Sequence, residues 1–223
     1  PDALAEVITV LEEVQDEFNS GLSRGKQISL ADVIVLAGNM GVEQAAEEFG
    51  VEVSIPFTPG RVDAIEGSVN TASWSVMEPR HDGFRNYMAD LGFMSPSQAL
   101  IDKADMLNLT VSEMTVLLGG MRAMNANADG SEQGVLTDRP GVLSNDFFVN
   151  LLDMNTAWGP SSEAYVFEGR DRQTGDLKWT ATEFDLVFGS NSELRAVVEF
   201  YALDESRQRF IKDFASAWTK VMD

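Results

Sequence analysis

Five times along this chain a residue suited to cap a helix stands at the head of a stretch whose apolar residues fall three and four apart. That repeated signal commits most of the sequence to helix. Ser29 with Asp32 opens one such stretch, which runs to about Glu48. Its opening, LADVIVLAG, is apolar nearly all round, so the helix is expected at the centre of the domain. Ser95-Pro96 with Gln98 places a proline at the first helical position, where a missing N–H is no loss. Thr110 with Glu113 has the form of a capping box and leads into MTVLLGGMRAM, again apolar on most sides. Ser144-Asn145-Asp146 heads a helix carrying Phe147, Phe148, Leu151 and Leu152, and Ser190 with Glu193 is expected to cap another. At the two ends, Leu4, Val7, Ile8, Leu11, Val14 and Phe18 form one apolar stripe, and Phe210, Ile211, Phe214, Trp218 and Val221 form a second.

Strand signals are confined to Tyr165–Thr182, where Tyr165-Val166-Phe167 and Leu177-Lys178-Trp179 flank a turn at Arg172 to Gly175. From about Val53 to Glu78 the chain is irregular, punctuated by Pro56, Pro59, Gly60 and Gly67. With no repeat and no low-complexity linker, the expectation is one mainly α domain with a single small β-hairpin, spanning residues 1–223. The chain opens directly on a helix, as a piece of a longer polypeptide would.

Charge narrows the partners. Sixteen Lys+Arg against 36 Asp+Glu give a formal net charge of −20. Such a surface repels phosphate backbones and anionic lipid, which argues against nucleic-acid and membrane partners and reads most simply as a solubility device. No run approaches the 18 or so apolar residues of a membrane span. There are no cysteines, so disulfides, thiolate nucleophiles and Cys-ligated metals are excluded. A cysteine-free chain suits the cytoplasm, and equally folds in a periplasmic or secreted setting.

Catalytic groups are scarce. The one histidine, His81, sits in Glu78-Pro79-Arg80-His81-Asp82-Gly83, a composition that reads as a surface turn. No serine occupies a nucleophile elbow to complete a triad with it. Asn125, Asn127, Asp129 and Gly130 imitate the start of a calcium loop, but Leu136 stands where the bidentate glutamate is needed. Asn108-Leu109-Thr110 matches a glycosylation acceptor by chance, and Glu43, Glu47 and Glu48 read as a solvated helix end. Gly119-Gly120 lies inside an apolar helix, where each glycine costs about 1 kcal/mol against alanine; the close approach of another helix or of a flat cofactor would repay it, and packing is the simpler reading.

Three runs carry a resemblance. SLADVIVLAGNMGVEQAAEEFGVEVSIPFTPGRVDA (Ser29 to Ala64), DGFRNYM (Asp82 to Met88), and the tail from DLKWTATEFDLVFGSNSELR (Asp176 to Arg195) to WTKVMD resemble the second half of bifunctional catalase-peroxidases. The similarity covers essentially the whole chain. It implies a haem-peroxidase-like helical domain, the carboxy-terminal half of an enzyme whose amino-terminal half binds haem b and disproportionates hydrogen peroxide. The amino-terminal part of the domain itself would be absent.

In the active half an axial histidine follows a Gly-Gly pair. Here Leu118-Gly119-Gly120-Met121-Arg122 puts Met121 at that position. The tryptophan beneath the haem is matched by Leu136, and the aspartate that orients the axial histidine by Asp185 in EFDLVFG. The distal arginine, tryptophan and histidine motif and the cross-linked Met-Tyr-Trp group have no counterpart in the chain. A peroxidase needs an imidazole on iron, made more basic by a carboxylate, and a distal base. Met121, on an apolar helix, therefore reads as core filler.

The resemblance implies a domain with no catalytic or cofactor-binding residue of its own and no metal. Its partners would be the haem-bearing half of the same enzyme and a second copy in a homodimer. Two other readings stand beside it: a haem enzyme in its own right, with Met121 or His81 on iron, and an acidic module that binds a basic protein.

Overall fold

The structure, a computed structural model, describes residues 2–23, 25–64, 67, 70, 72–73, 76, 80–88, 95–128 and 130–223. Two helices open the chain, α1 (Asp2–Ser20) and α2 (Leu30–Glu48). A two-residue ladder follows, β1 (His81–Asp82) with β2 (Tyr87–Met88), closed by a 3₁₀ turn at Gly83–Arg85. Next come α3 (Pro96–Met106), α4 (Val111–Ala123) and the short α5 (Asp146–Leu151). The antiparallel sheet is built from β3 (Thr156–Pro160), β4 (Val166–Asp171) and β5 (Leu177–Thr182), in that order. Three helices end the chain: α6 (Glu183–Ser190), α7 (Ser192–Ala202) and α8 (Arg207–Met222). The protein is mainly α with a small β element.

The expected hairpin is β4–β5, with Glu168 opposite Thr180 and Gly169 opposite Trp179. A third strand, β3, extends it on the other side, setting Trp158 against Gly169. That strand, with its Gly159 and Pro160, has no alternating pattern to betray it. Pro160 sits at its end, where the ladder no longer needs an N–H.

Caps behave largely as their chemistry requires. Ser95 and Gln98 exchange hydrogen bonds in a complete capping box, as do Thr110 and Glu113. Ser29 accepts from the Asp32 N–H at 3.1 Å. At α7 the cap is Asn191 rather than Ser190: the Asn191 side chain accepts from the N–H groups of Glu193 and Leu194. The Ser190 hydroxyl instead donates back to the Leu186 carbonyl, closing α6.

At the centre lies α4, not α2. Nine of its residues are buried, among them Val116, Leu118 and Arg122. It packs on α8, which buries Phe210, Ile211, Phe214, Ala215 and Ala217. The glycine pair makes this possible. A Cβ on Gly119 would lie 2.3 Å from Cζ of Phe148, and one on Gly120 would lie 2.3 Å from the Phe214 ring. Two aromatic rings thus sit directly on the α4 backbone, and the burial they gain offsets the glycine cost.

On α2, by contrast, Ile34, Leu36 and Met40 are exposed, and only Asp32, Val33, Asn39, Val42, Ala45 and Ala46 are buried. The all-round apolar sequence marks this helix for burial, and among the described residues one of its faces is left exposed. The stripe of α1 behaves likewise: Leu4, Val7, Val14 and Phe18 are exposed, and Ile8 and Leu11 are half-buried. Residues 51–64 form no regular element. Much of the expected irregular stretch beyond them, including Glu78 and Pro79, lies outside the described residues. No helix among the described residues is long and apolar enough to cross a membrane.

Candidate functional site

Asp185 is wholly buried in the first turn of α6, and its carboxylate is fully engaged. One oxygen accepts from the Thr182 N–H at 2.8 Å and the Thr182 hydroxyl at 2.7 Å. The other accepts from Nε of Arg122 at 2.9 Å, and both side chains of that ion pair are 0% exposed. Arg122 was not among the residues singled out by sequence. The only signal was a cation inside an otherwise apolar helix, next to the position of interest.

Both terminal nitrogens of the guanidinium are engaged as well. Nη1 donates to the Phe84 carbonyl at 2.9 Å and to Oδ1 of Asn127 at 3.2 Å, and Nη2 donates to the Gly83 carbonyl at 2.9 Å. The ring of Phe184 lies 5.3 Å from the guanidinium carbon. The DGFRNYM run therefore serves the pair directly, since its 3₁₀ turn aims two carbonyls at Arg122. Gly134 closes the site from the other side. With φ at +79°, a Cβ there would lie 2.6 Å from both Arg122 Nε and Asp185 Oδ2. The backbone passes too close to the pair for any side chain.

Leu136 follows two residues later and is fully buried in the main core, with its carbonyl accepting from the Asn150 side chain at 2.9 Å. Met121 lies one residue before Arg122, and on a helix adjacent side chains diverge by about 100°. It is accordingly half-buried, packed on the core but also lining a groove of about 440 Å³ between α2, α4 and α8. The core-filler reading is thus only half right. The structure brings Asp185 together with Arg122, not with Met121.

His81 also departs from expectation. It lies in β1, with a side chain 14% exposed and Nε2 3.5 Å from a carboxylate oxygen of Asp102. The calcium-like loop serves the buried pair: Asn127 accepts from Arg122 and donates to the carbonyls of Ser131 and Gln133, while Asp129 lies outside the described residues. Glu43 is engaged by the Ile55 N–H at 2.6 Å and so helps hold the following segment on α2.

A second polar fastening lies at the start of α2. The buried Asp32 accepts from the Gly60 N–H at 2.8 Å and from Arg61 Nη1 at 3.0 Å, and Arg61 Nη2 donates to the carbonyl of Met222. The Gly60 hydrogen bond, helped by Arg61, holds the Asp32 carboxyl below the usual aspartate range. Asp63 is lowered in the same way by the N–H groups of Ala31 and Leu30. Further along α2, Asn39 Oδ1 accepts from the Trp218 indole at 2.8 Å. The three runs quoted above thus converge on α4 and α8.

A family model described as Peroxidase matches residues 2–204. The chain is 57% identical over its whole length to "Catalase-peroxidase 2" of Shewanella sp. (strain MR-4), covering 30% of that protein. It is 57% identical to "Catalase-peroxidase" of Hahella chejuensis, covering 31%, and 56% identical to "Catalase-peroxidase" of Leptospira biflexa, covering 30%. It therefore spans under a third of the length of these relatives. This chain belongs to the peroxidase family.

Proposed function

We propose that the chain is a non-catalytic supporting part of a catalase-peroxidase, its carboxy-terminal half, which holds a separate haem-bearing half in its active arrangement and contributes to the dimer. The observation that carries this reading is the sealed Arg122–Asp185 pair. In a haem peroxidase the carboxylate orients and polarises the imidazole on iron. Here the equivalent carboxylate is saturated by Arg122 and Thr182, and the side chain at the imidazole position is a thioether turned away from it. The residues present do not fit haem as a peroxidase holds it, so no peroxide step is assigned to them. What remains is scaffold: a ring-on-backbone contact at each glycine of the pair and a buried polar network in which every nitrogen of Arg122 and both carboxylate oxygens of Asp185 are engaged. Hydrogen peroxide turnover would belong to the haem-bearing half.

Titration of the purified chain with haem, followed in the Soret region, tests the non-catalytic role. The expected result is neither a protein-bound Soret band nor peroxide turnover; stoichiometric uptake with turnover overturns the proposal. Mixing the chain with a separately produced haem-bearing half tests the supporting role. That half should gain activity on forming a complex, and unchanged activity with no complex counts against it.

A further inference from the structure

We propose that the groove beside Met121 binds a small aromatic carboxylate, with the ring between α2 and α4 and the carboxylate on Arg85. This site lies outside the supporting role and does not depend on it. A volume of about 440 Å³ falls within the span of small-molecule sites. Its walls include Val35, Gly38, Phe84, Leu117, Met121 and Trp218, an apolar lining with two aromatic rings and a polarisable thioether. The Trp218 ring is fixed in place: its Nε1 donates to Asn39 at 2.8 Å, and a Cβ on Gly38 would stand only 3.2 Å from its Cζ2. A wall held this way is ready before the ligand arrives, which lowers the ordering cost of binding.

The sign of the ligand's charge follows from the rim, where Asp82 and Arg85 stand together. Asp82 is already in use, accepting from the Phe84 N–H at 3.1 Å and from Arg85 Nε at 2.7 Å. Arg85 spends only Nε on that contact. Among the described residues its two Nη groups have no acceptor, and its side chain is 51% exposed. A guanidinium with two parallel donors free is suited to a carboxylate, which it can grip with both. On a chain of net charge −20, an available cation at the mouth of an apolar groove selects for an anion with an apolar body.

Calorimetric titration of the 223-residue chain with naphthoate, and with naphthalenemethanol as its neutral analogue, tests the site. Saturable one-to-one binding of naphthoate is expected, weakened about fivefold or more in the alcohol and in Arg85→Gln. Val35→Trp, which fills the groove, should abolish it. No saturable binding at millimolar naphthoate overturns the proposal. Equal affinity for the alcohol, or for Arg85→Gln, also overturns it, and so does binding that survives in a folded Val35→Trp. Should Val35→Trp fail to fold, Arg85→Gln changes only an exposed side chain and still decides.

Discussion

Two faces of α4 leave the same turn of helix and meet opposite fates. On one, Arg122 enters a site with no solvent, where Asp185, Asn127 and two backbone carbonyls accept from it. On the other, one residue earlier, Met121 looks into an open apolar groove bounded by α2 and α8. The sealed face is over-determined, because each partner of Arg122 is fixed by its own element: a 3₁₀ turn, the start of α6 and the loop after α4. The open face is bounded by helices whose outer sides are themselves exposed. Catalytic geometry in this family is assigned by resemblance to the Met121, Leu136 and Asp185 positions. In this chain the pressure to fill space has been met at Leu136 and Asp185, and not at Met121.

Breaking the sealed face should give the largest effect. Asp185→Ala strands a buried guanidinium, and Arg122→Ala strands a carboxylate and two carbonyls. Each is expected to cost about 3–5 kcal/mol in urea unfolding. The double substitution Arg122→Met with Asp185→Leu removes both charges and should recover a substantial part of that loss. A single-site cost below about 1 kcal/mol would show that the pair is not the fastening described here.

The glycine pair comes next. Gly120→Ala drives a methyl group into the Phe214 ring and within 2.9 Å of Leu143, so a destabilisation of about 1–3 kcal/mol is expected despite alanine's better helix propensity. A stabilised Gly120→Ala would mean that α8 can move away at little cost. Met121→Ala, one position further along the same helix, should cost about 1 kcal/mol or less, below the usual 2–5 for a core methionine, because the groove already exposes one side. The gap between these two adjacent substitutions measures the difference between the faces directly.

Much of this architecture was legible in the sequence, for identifiable reasons. Capping boxes at Ser95 and Thr110 are local chemistry and form whatever surrounds them. Gly119-Gly120 announced close packing because two helix-interior glycines need compensation. Other features depended on partners distant in sequence. Arg122 drew no reading of its own, because its role required Asp185, 63 residues away, to be folded beside it. The apolar surround of α2 promised a central position, yet burial depends on what packs against a helix, and Ile34 and Met40 meet solvent. Ser190 lost the α7 cap to Asn191 because a β-region backbone with a side-chain acceptor is what the first-turn N–H groups require, and Ser190 is still helical.

The smallest expected effect concerns the open face and its dependence on pH. Asp32 ties the start of α2 to Gly60 and, through Arg61, to the end of α8 beside the groove. Its carboxyl is held below the ordinary aspartate value of about 3.9, chiefly by the Gly60 N–H. A carboxyl lowered in the folded state contributes stability that is fully present above the unfolded value. That contribution fades as pH falls through the lower folded value. Thermal melting of the protein and of Asp32→Asn should therefore differ most at neutral pH, with the variant less stable. The two curves should converge below about pH 4, where protonation weakens the same contacts in the parent. Curves that stay parallel down to pH 2 would place this region's acid sensitivity elsewhere, with Asp63, lowered by the Ala31 and Leu30 N–H groups, the next carboxylate to substitute.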